Sequence, residues 1–551
     1  MPDKNILIYD STLRDGAQGE HVSFSKDDKL CIAEKLDELG VAYIEGGWPG
    51  SNPRDAEFFR DAASHTFKYA KLCAFGCTRR KDLSAEKDPQ MLALLDSGAP
   101  VCTIVGKTPA SQAREILNVS EEENLAMIRE SCRFLADAGR EVIFDAEHFF
   151  DAWNENPDYA KRVLTAACEG GASAVTICDT NGGLLPVEIL DITKKVRAIL
   201  PPDIVLGIHC HNDSGTAVAN SIVAVRSGAR LVQGTVNGIG ERCGNANLCT
   251  IIPNFELKTD FRCLPPGHLA MLKDVSDFVC EKANMRPDAH APYVGESAFA
   301  HKAGLHVDAI AKNPVTFEHV RPESVGNRRR ILISELSGRH SLAMKAAEFG
   351  IDNLRDFSSS DKDKEGADLQ KIIKEREHAG YEYETAEASL EVLMHKVRKD
   401  WPSFFTPEGY RVIIEKRGAE NRVVSEATVK INVGGVTQLT AAEGDGPVNA
   451  LDLALRKALE RFYPEIRNVA LADFKVRILD SKQQKGTAAQ TRVRIQSHGH
   501  IQDIDRDSTW DTVGVSRNII EASWIALVDS MEYALFKKNI APLNSQEGSQ
   551  P

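Results

Sequence analysis

The feature that most constrains this chain is a regular alternation of short apolar runs with amphipathic stretches, sustained through about residue 265. The runs are Ile6–Tyr9, Tyr43–Gly46, Lys71–Phe75, Val101–Val105, Glu141–Phe144, Ala174–Ile177, Ile204–Ile208 and Leu231–Val236, eight in all. Between them lie helical patterns such as Lys26–Leu39 and Asn124–Ala138. The latter places Leu125, Ile128, Cys132 and Leu135 at the spacing of one helix face. Such alternation predicts parallel strands joined by right-handed crossovers. Eight units in roughly 250 residues is the size of a (β/α)8 barrel. A doubly wound open sheet is the alternative α/β architecture. The barrel is favoured because nearly every run ends in polar or glycine residues, as in Asp10–Gly16, Asp145–Glu147, Asp179–Asn181 and His209–Asp213. A barrel gathers those ends around one mouth, whereas an open sheet leaves several of them too far apart to cooperate.

Beyond the barrel the texture changes twice. Residues 266–400 read as mainly helical, with a charged stretch from Ser358 to Glu377 whose Asp361–Glu365 segment suits a solvated face or linker. From Gly409 onward, Val412–Glu415, Ala427–Val433 and Phe474–Leu479 alternate like half-buried strands, and Val448–Phe462 and Asn518–Phe536 read as helices. Strands, a glycine-containing turn and a helix thus occur twice, with the turns at Gly444–Pro447 and Val513–Ser516. The predicted organisation is a catalytic barrel over 1–265, linker and lid subdomains over 266–400, an α+β regulatory domain over 401–540 and a polar tail over 541–551. A length of 551 residues, 42% of them hydrophobic, suits two or three domains.

The net charge of −13 argues against nucleic acid or an anionic membrane as partner, since both need a basic surface. An anionic small molecule needs only a local basic pocket. No signal peptide is read at Met1–Asp10, and no stretch approaches a membrane span. The 12 cysteines form no CxxC pair, which points to reduced thiols and a cytoplasmic protein.

The candidate chemistry sits at the strand ends. His209 and His211 lie two apart, so in a strand both imidazoles point to the same side and can meet one metal. Asp15 follows the first strand, which neighbours the eighth in a closed barrel, one step from the seventh. The mixed oxygen and nitrogen set suits Mn²⁺, Zn²⁺ or Mg²⁺ with positions left for substrate. Structural, hydrogen-bonded histidines are the alternative. Arg14 can pair bidentately with a ligand carboxylate, or form an ion pair with a barrel glutamate such as Glu45. Glu147 offers a base or a hydrogen-bond acceptor. Thr180 offers a hydroxyl, either to a ligand or as a helix cap. The run Gly238–Asn245 permits close backbone approach to a ligand, but its spacing is not that of a dinucleotide-binding loop.

Three segments together resemble the isopropylmalate, homocitrate and citramalate synthase family: Leu13–Gln18, His209–Gly215 and Gly240–Leu248. The likeness extends to Leu336–Ser341 and to Gly446–Ala450, and within the family Ile44–Pro53 and Asp145–Asp151 are most similar to the citramalate branch. The resemblance implies a divalent metal held by Asp15, His209, His211 and Asn245. It implies that Arg14 and Thr180 hold a 2-oxo acid, pyruvate in that branch, and that Glu147 lies close to the methyl group of acetyl-CoA. His306 and Asp308 would come from a mobile subdomain and join Glu147 in proton transfer. Phe317 stands where the family usually has Tyr, so one hydroxyl of that set is missing. The resemblance further implies a homodimer and a C-terminal domain that binds isoleucine as an inhibitor through Gly444, Gly446, Pro447 and Gly514. The alternatives are a synthase for a bulkier 2-oxo acid (2-isopropylmalate or homocitrate), a hydroxymethylglutaryl-CoA lyase, whose cysteine-containing loop is missing here, and an amino-acid sensor with an inactive barrel.

Overall fold

A computed structural model describes residues 4–333, 339–351, 363–398, 401–417, 422–479, 489–499 and 508–543. They fall into two compact units, one made of 4–299 with 318–329, the other of 300–317 with the described residues from 330 onward. The segments Leu336–Gly338, Ser358–Lys362 and 544–551 lie outside the described residues.

The first unit is a closed barrel of parallel strands β1 (Leu7–Asp10), β2 (Tyr43–Gly47), β3 (Lys71–Cys77), β4 (Val101–Lys107), β5 (Glu141–Glu147), β6 (Ala174–Asp179), β7 (Val205–Cys210) and β8 (Leu231–Gly234). Closure is direct, because Leu7 to Asp10 of β1 register with Leu231 to Gly234 of β8. The period of two divides the strand side chains between two environments. Ile8, Ile44, Cys102, Val142, Val175 and Val232 point outward and join the helices in the main core. Tyr9, Tyr43, Cys73, Val101, Ile143, Ala174 and Leu231 form a separate cluster inside the barrel, as expected of a packed barrel interior. The crossover helices start and stop where the sequence signals it. Helix Lys26–Leu39 opens on a capping box in which Ser25 Oγ accepts from Asp28 N–H and Asp28 accepts from Ser25 N–H, and it closes on Gly40. Residues after the eighth strand add to the same core, through Phe255, Leu272, Val275 and Val279.

The second unit contains a two-stranded sheet, β9 (Ala300–His301) with β10 (Arg330–Ile331), and the helices Gly304–Lys312, Arg339–Glu348, Asp363–His378 and Glu387–Arg398. Two antiparallel three-stranded sheets follow. The first is β11 (Thr406–Arg417), β12 (Arg422–Val433) and β13 (Val436–Gly444), followed by helix Pro447–Leu459. The second is β14 (Ala470–Ile478), β15 (Thr491–Gly499) and β16 (Ser508–Ser516), followed by helix Ile519–Lys537. Each repeat is therefore three strands and a helix, with β13, β15 and β16 added to the strands read from sequence. One expectation is corrected. Val513–Ser516 is not a turn but the end of β16, and Gly514 pairs with Val493 of β15. Its glycine has a packing reason: a Cβ there would lie 2.0 Å from the Ala522 carbonyl oxygen of the following helix. Gly444, at the end of β13, is crowded in the same way by Ala450 N at 2.5 Å.

Gly514→Ala should therefore destabilise the second unit by about 1–3 kcal/mol, the usual cost of overpacking. Gly446→Ala, where no atom lies within 4 Å of the added Cβ, should be tolerated. Scanning calorimetry checks this; an unchanged transition in Gly514→Ala would remove the close-packing account.

Candidate active site

The mouth is built on the turn after β1. Asp10 ends the strand by accepting from the Thr12 N–H (2.9 Å) and hydroxyl (3.0 Å), and Thr12 Oγ1 in turn accepts from Val236 N–H (2.9 Å) after β8. The first and last loops of the barrel are thus tied together. Burial pushes the Asp10 carboxyl up to about 7. Asp15 lies five residues past the end of β1, leading into the short turn Gly16–Gln18.

Arg14 and Asp15 sit on opposite faces of one problem, the fixing of charge in a dry place. Glu45 of β2 is fully buried and accepts from Tyr9 Oη (2.6 Å), from the Ser11 hydroxyl and from Arg14 Nε (2.7 Å). The Arg14 guanidinium also stacks on Phe75, 3.8 Å from its ring centre, and Phe75 meets the edge of Trp48 with centroids 5.3 Å apart. The ion pair with Glu45 is formed, and Arg14 also lines the cavity described below. Asp15 Oδ2 lies 3.4 Å from Arg14 Nη1 and 3.5 Å from His209 Nε2. Burial raises the Asp15 carboxyl, but Arg14 and the two imidazoles outweigh it and hold the group down at about 2.

His209 is the penultimate residue of β7, His211 follows the strand, and their Nε2 atoms lie 3.4 Å apart. A bridge between His211 and Asn245 brings in the loop after β8. The glycine run there serves the chain's own backbone. At Gly244 (φ 84°) a Cβ would lie 1.9 Å from the Gly238 carbonyl oxygen, so the loop that carries Asn245 can close on itself only with glycine at this position. Burial and the neighbouring His209 pull His211 down to about 4, leaving a neutral imidazole near neutral pH.

Asp15, His209 and His211 each offer a ligand atom, and those atoms lie within 4.8 Å of one another. Asp15 Oδ1 and Asn245 Oδ1 are buried and have no hydrogen-bond partner among the described residues. Orphaned acceptors are costly in a dry site. Two oxygens without donors, beside two imidazole nitrogens that face each other, fit a cation of the Mg²⁺, Mn²⁺ or Zn²⁺ type.

Gln233 of β8, missed in the sequence, sets the tautomer. Its Nε2 donates to Asp145 Oδ1 (2.8 Å) and Thr176 Oγ1 (3.2 Å), which turns its Oε1 toward His209 Nδ1 at 2.8 Å. His209 Nδ1 must then carry the proton, and Nε2 presents its lone pair to the site. Burial, then Glu45, pushes Asp145 up to about 6.

Around this cluster lies a cavity of about 730 Å³, lined among others by Arg14, Asp15, Phe75, Glu147, Thr180, His209 and His211. Glu147 ends β5 and pairs with Lys107 Nζ at 2.5 Å, from the register partner on β4. Thr180 Oγ1 accepts from His148 N–H (2.8 Å), so it holds the start of helix Phe149–Glu155. Arg242 forms a fork to Asp213 (2.7 and 3.0 Å) and donates to the Thr180 carbonyl (2.8 Å), tying together the loops after β6, β7 and β8. The barrel unit thus brings together Arg14, Asp15, Glu147, Thr180, His209, His211 and Asn245. His306 and Asp308 belong to the second unit, on helix Gly304–Lys312, where exposed His306 stacks on Phe317 with centroids 4.1 Å apart. Asp308 pairs with Lys312 at 2.7 Å. Gly444, Gly446 and Pro447 lie where β13 passes into its helix, and Gly514 lies inside a strand.

Family models match the chain in order: "HMGL-like" over residues 5–279, "Homocitrate synthase post-HMGL domain-like" over 293–365 and "LeuA allosteric (dimerisation) domain" over 384–535. With the barrel and its site, these define an acetyl-CoA-condensing transferase of the HMGL-like class. The chain is 50% identical to an (R)-citramalate synthase of Geobacter sulfurreducens, over 97% of this chain and 98% of that protein. It is 51% identical to an (R)-citramalate synthase of Aquifex aeolicus over the same shares. Against a 2-isopropylmalate synthase of Clostridium kluyveri identity falls to 30%, with 98% and 99% covered. The chain belongs to the citramalate synthase family.

Replacing Gln233 with Leu should lower divalent-metal affinity about 10- to 100-fold, the usual cost of losing a ligand's supporting hydrogen bond, with the barrel still folded. Equilibrium dialysis with Mn²⁺ reads this directly; unchanged affinity would show that Gln233 has no part in presenting His209.

Proposed function

We propose that the chain condenses acetyl-CoA with pyruvate and releases (R)-citramalate and CoA, water being consumed in cleaving the thioester. The observation that carries this is the convergence of Arg14 with the Asp15–His209–His211 cluster in one cavity, in a chain about half identical to citramalate synthases along nearly its whole length.

Asp15, His209, His211 and Asn245 hold the metal in this reading; a bound divalent ion supplies Lewis acidity toward a ketone oxygen. Arg14 fixes the carboxylate of the 2-oxo acid. Its guanidinium is prevented from turning by Glu45 and Phe75, so little orientation is lost on binding. Thr180, placed by His148 N–H, presents its hydroxyl to the same acid. Glu147 accepts or relays the proton taken from the acetyl methyl, and its ion pair with Lys107 fixes where the carboxylate lies. His306 and Asp308 complete the proton-transfer set, with Phe317 rather than a phenol against His306. The unpaired thiols suit a reducing, cytoplasmic setting.

Beside Arg14 the cavity wall is aromatic, with Phe75 under the guanidinium and Trp48 against Phe75. Identity of about half to citramalate synthases, against 30% to a 2-isopropylmalate synthase, favours the smaller acid. Pyruvate should therefore exceed 2-oxoisovalerate in kcat/KM by at least about tenfold, since a single methylene is worth about 10- to 200-fold. Thiol release with a panel of 2-oxo acids checks it; equal values for the two acids would move the chain to the isopropylmalate branch.

The C-terminal repeats match an allosteric dimerisation domain. We infer a homodimer in which barrel, linker helices and repeats correspond to catalytic, lid and regulatory parts, and isoleucine as the inhibitor. The first repeat supports this best: at Gly444–Pro447 the helix starts without a side-chain cap, leaving N–H groups for a carboxylate. Gly514 contributes by packing instead. Inhibition requires different isoleucine affinities in two states, so pyruvate must weaken isoleucine binding in return. Calorimetry with isoleucine, with and without pyruvate, should show that reduction; no heat from isoleucine, with unchanged kinetics, would leave the domain purely structural.

A further inference from the structure

The cavity at the barrel mouth carries an uneven set of charges. Six cationic side chains line it: Arg14, Arg79, Arg80, Lys81, Lys107 and Arg242. Four have carboxylate partners within the protein. Arg14 is held by Glu45 and Asp15, Arg79 by Glu123 and Glu130, Lys107 by Glu147 and Arg242 by Asp213. Arg80 and Lys81 are different. Both are exposed, and among the described residues neither side chain has an ion-pair partner. Their backbone is nevertheless fixed. Arg79 Nη1 donates to the Arg80 carbonyl (3.1 Å), and the Arg80 N–H donates to Asp88 Oδ2 (2.7 Å). Ser131 Oγ accepts from the Arg79 N–H (2.8 Å). Against the six cations stand the lining carboxylates Asp15, Asp82, Glu147 and Glu241, so Arg80 and Lys81, followed by Asp82, remain on a hydrogen-bonded loop after β3 as cations without an ion pair among the described residues.

A second observation concerns the same cavity. Ile116, which lines it, is 59% exposed, and half-buried Leu117 and buried Met127 line it as well. A volume of about 730 Å³ is of the size that encloses a drug-sized ligand, more than a three-carbon acid fills. Apolar lining and surplus cations are the complement of an acyl thioester on a long, weakly polar arm that ends in phosphates. The requirement is sharpened by the overall charge of −13, since a polyanionic substrate approaches this protein against its mean field and needs a local attractor.

We propose that Arg80 and Lys81 bind the phosphates of the nucleotide end of the acyl-CoA, and that Ile116 and Leu117 form the apolar rail for the arm between them and the site. This rests on the reading of acetyl-CoA as substrate and adds where its phosphates are held. Neither residue touches the reacting atoms, so the pair governs binding of the thioester and not the condensation itself.

The test uses full-length protein and the double variant Arg80→Gln, Lys81→Gln, whose exposed side chains carry no packing. Thiol release is measured with acetyl-CoA, with acetyl-dephospho-CoA, which lacks the 3′-phosphate, and with acetylpantetheine, which lacks all phosphates. The double variant should raise the KM for acetyl-CoA about tenfold or more, the scale of losing charge-assisted contacts to an anion. The KM for pyruvate should not change. The wild-type KM for acetyl-CoA should rise with salt more steeply than that of the variant. With acetylpantetheine the two proteins should be equal. Acetyl-dephospho-CoA assigns the cations to one phosphate position: equality there places them on the 3′-phosphate, and a persisting difference on the diphosphate. An unchanged KM for acetyl-CoA, or an equal rise with acetylpantetheine, would overturn the proposal. Absence of thiol release by the wild type with any thioester would instead contradict the reaction assigned above, so the two failures are distinct.

Discussion

The structure of the site depends on one desolvated ion pair, Arg14 with Glu45. Glu45 is fully buried on β2, and its two oxygens collect three donors from β1 and the turn after it. A buried carboxylate is costly without such partners, so β1, its turn and β2 are held in one arrangement. Arg14 thereby keeps a fixed direction, and Asp15 beside it is held ionised by a guanidinium that cannot swing away. The Ser11 hydroxyl that donates to Glu45 also accepts from the Asp15 N–H at 3.4 Å. The position of Asp15, the first candidate metal ligand, is thus set from below, inside the barrel.

The same logic operates on the opposite wall. Asp145, Thr176 and Gln233 form a polar layer across β5, β6 and β8 that ends on His209 Nδ1. Each member has one partner assignment that satisfies all of them, so the layer selects a tautomer as well as a rotamer. Supporting groups of this kind give a site its accuracy. Strands supply them here because in a parallel barrel alternate side chains from every strand face one axis.

Much of this was legible in the sequence. The eight apolar runs and the polar residues that end them specify the barrel, because both periodicity and closure act on local pattern. The approach of His209 and His211 was legible from their spacing of two at the end of a strand, although β7 itself stops at Cys210 and His211 bridges to Asn245 instead. Gln233 was not: it lies within an apolar run, and its function arises only when β8 closes against β5 to β7. Lys107 was missed for a similar reason, since its pairing with Glu147 follows from the register of β4 on β5. In the second unit β15 buries Thr491 and Ser497 along with Val493 and Ile495, so its inward face is too polar for a hydrophobic period to reveal. Gly514 read as a turn because glycine usually punctuates chain direction; within a strand it marks the close approach of another backbone.

The account stands on Asp15, His209 and His211 acting as one ligand set. The most direct measurement is a titration of extensively dialysed protein with Mn²⁺, followed by electron paramagnetic resonance, for the wild type and His211→Ala. The wild type should take up one ion per chain, and the variant should leave the ion free at the same concentration while circular dichroism shows the barrel intact. Equal uptake by the two proteins would contradict the assignment of these residues as the metal centre.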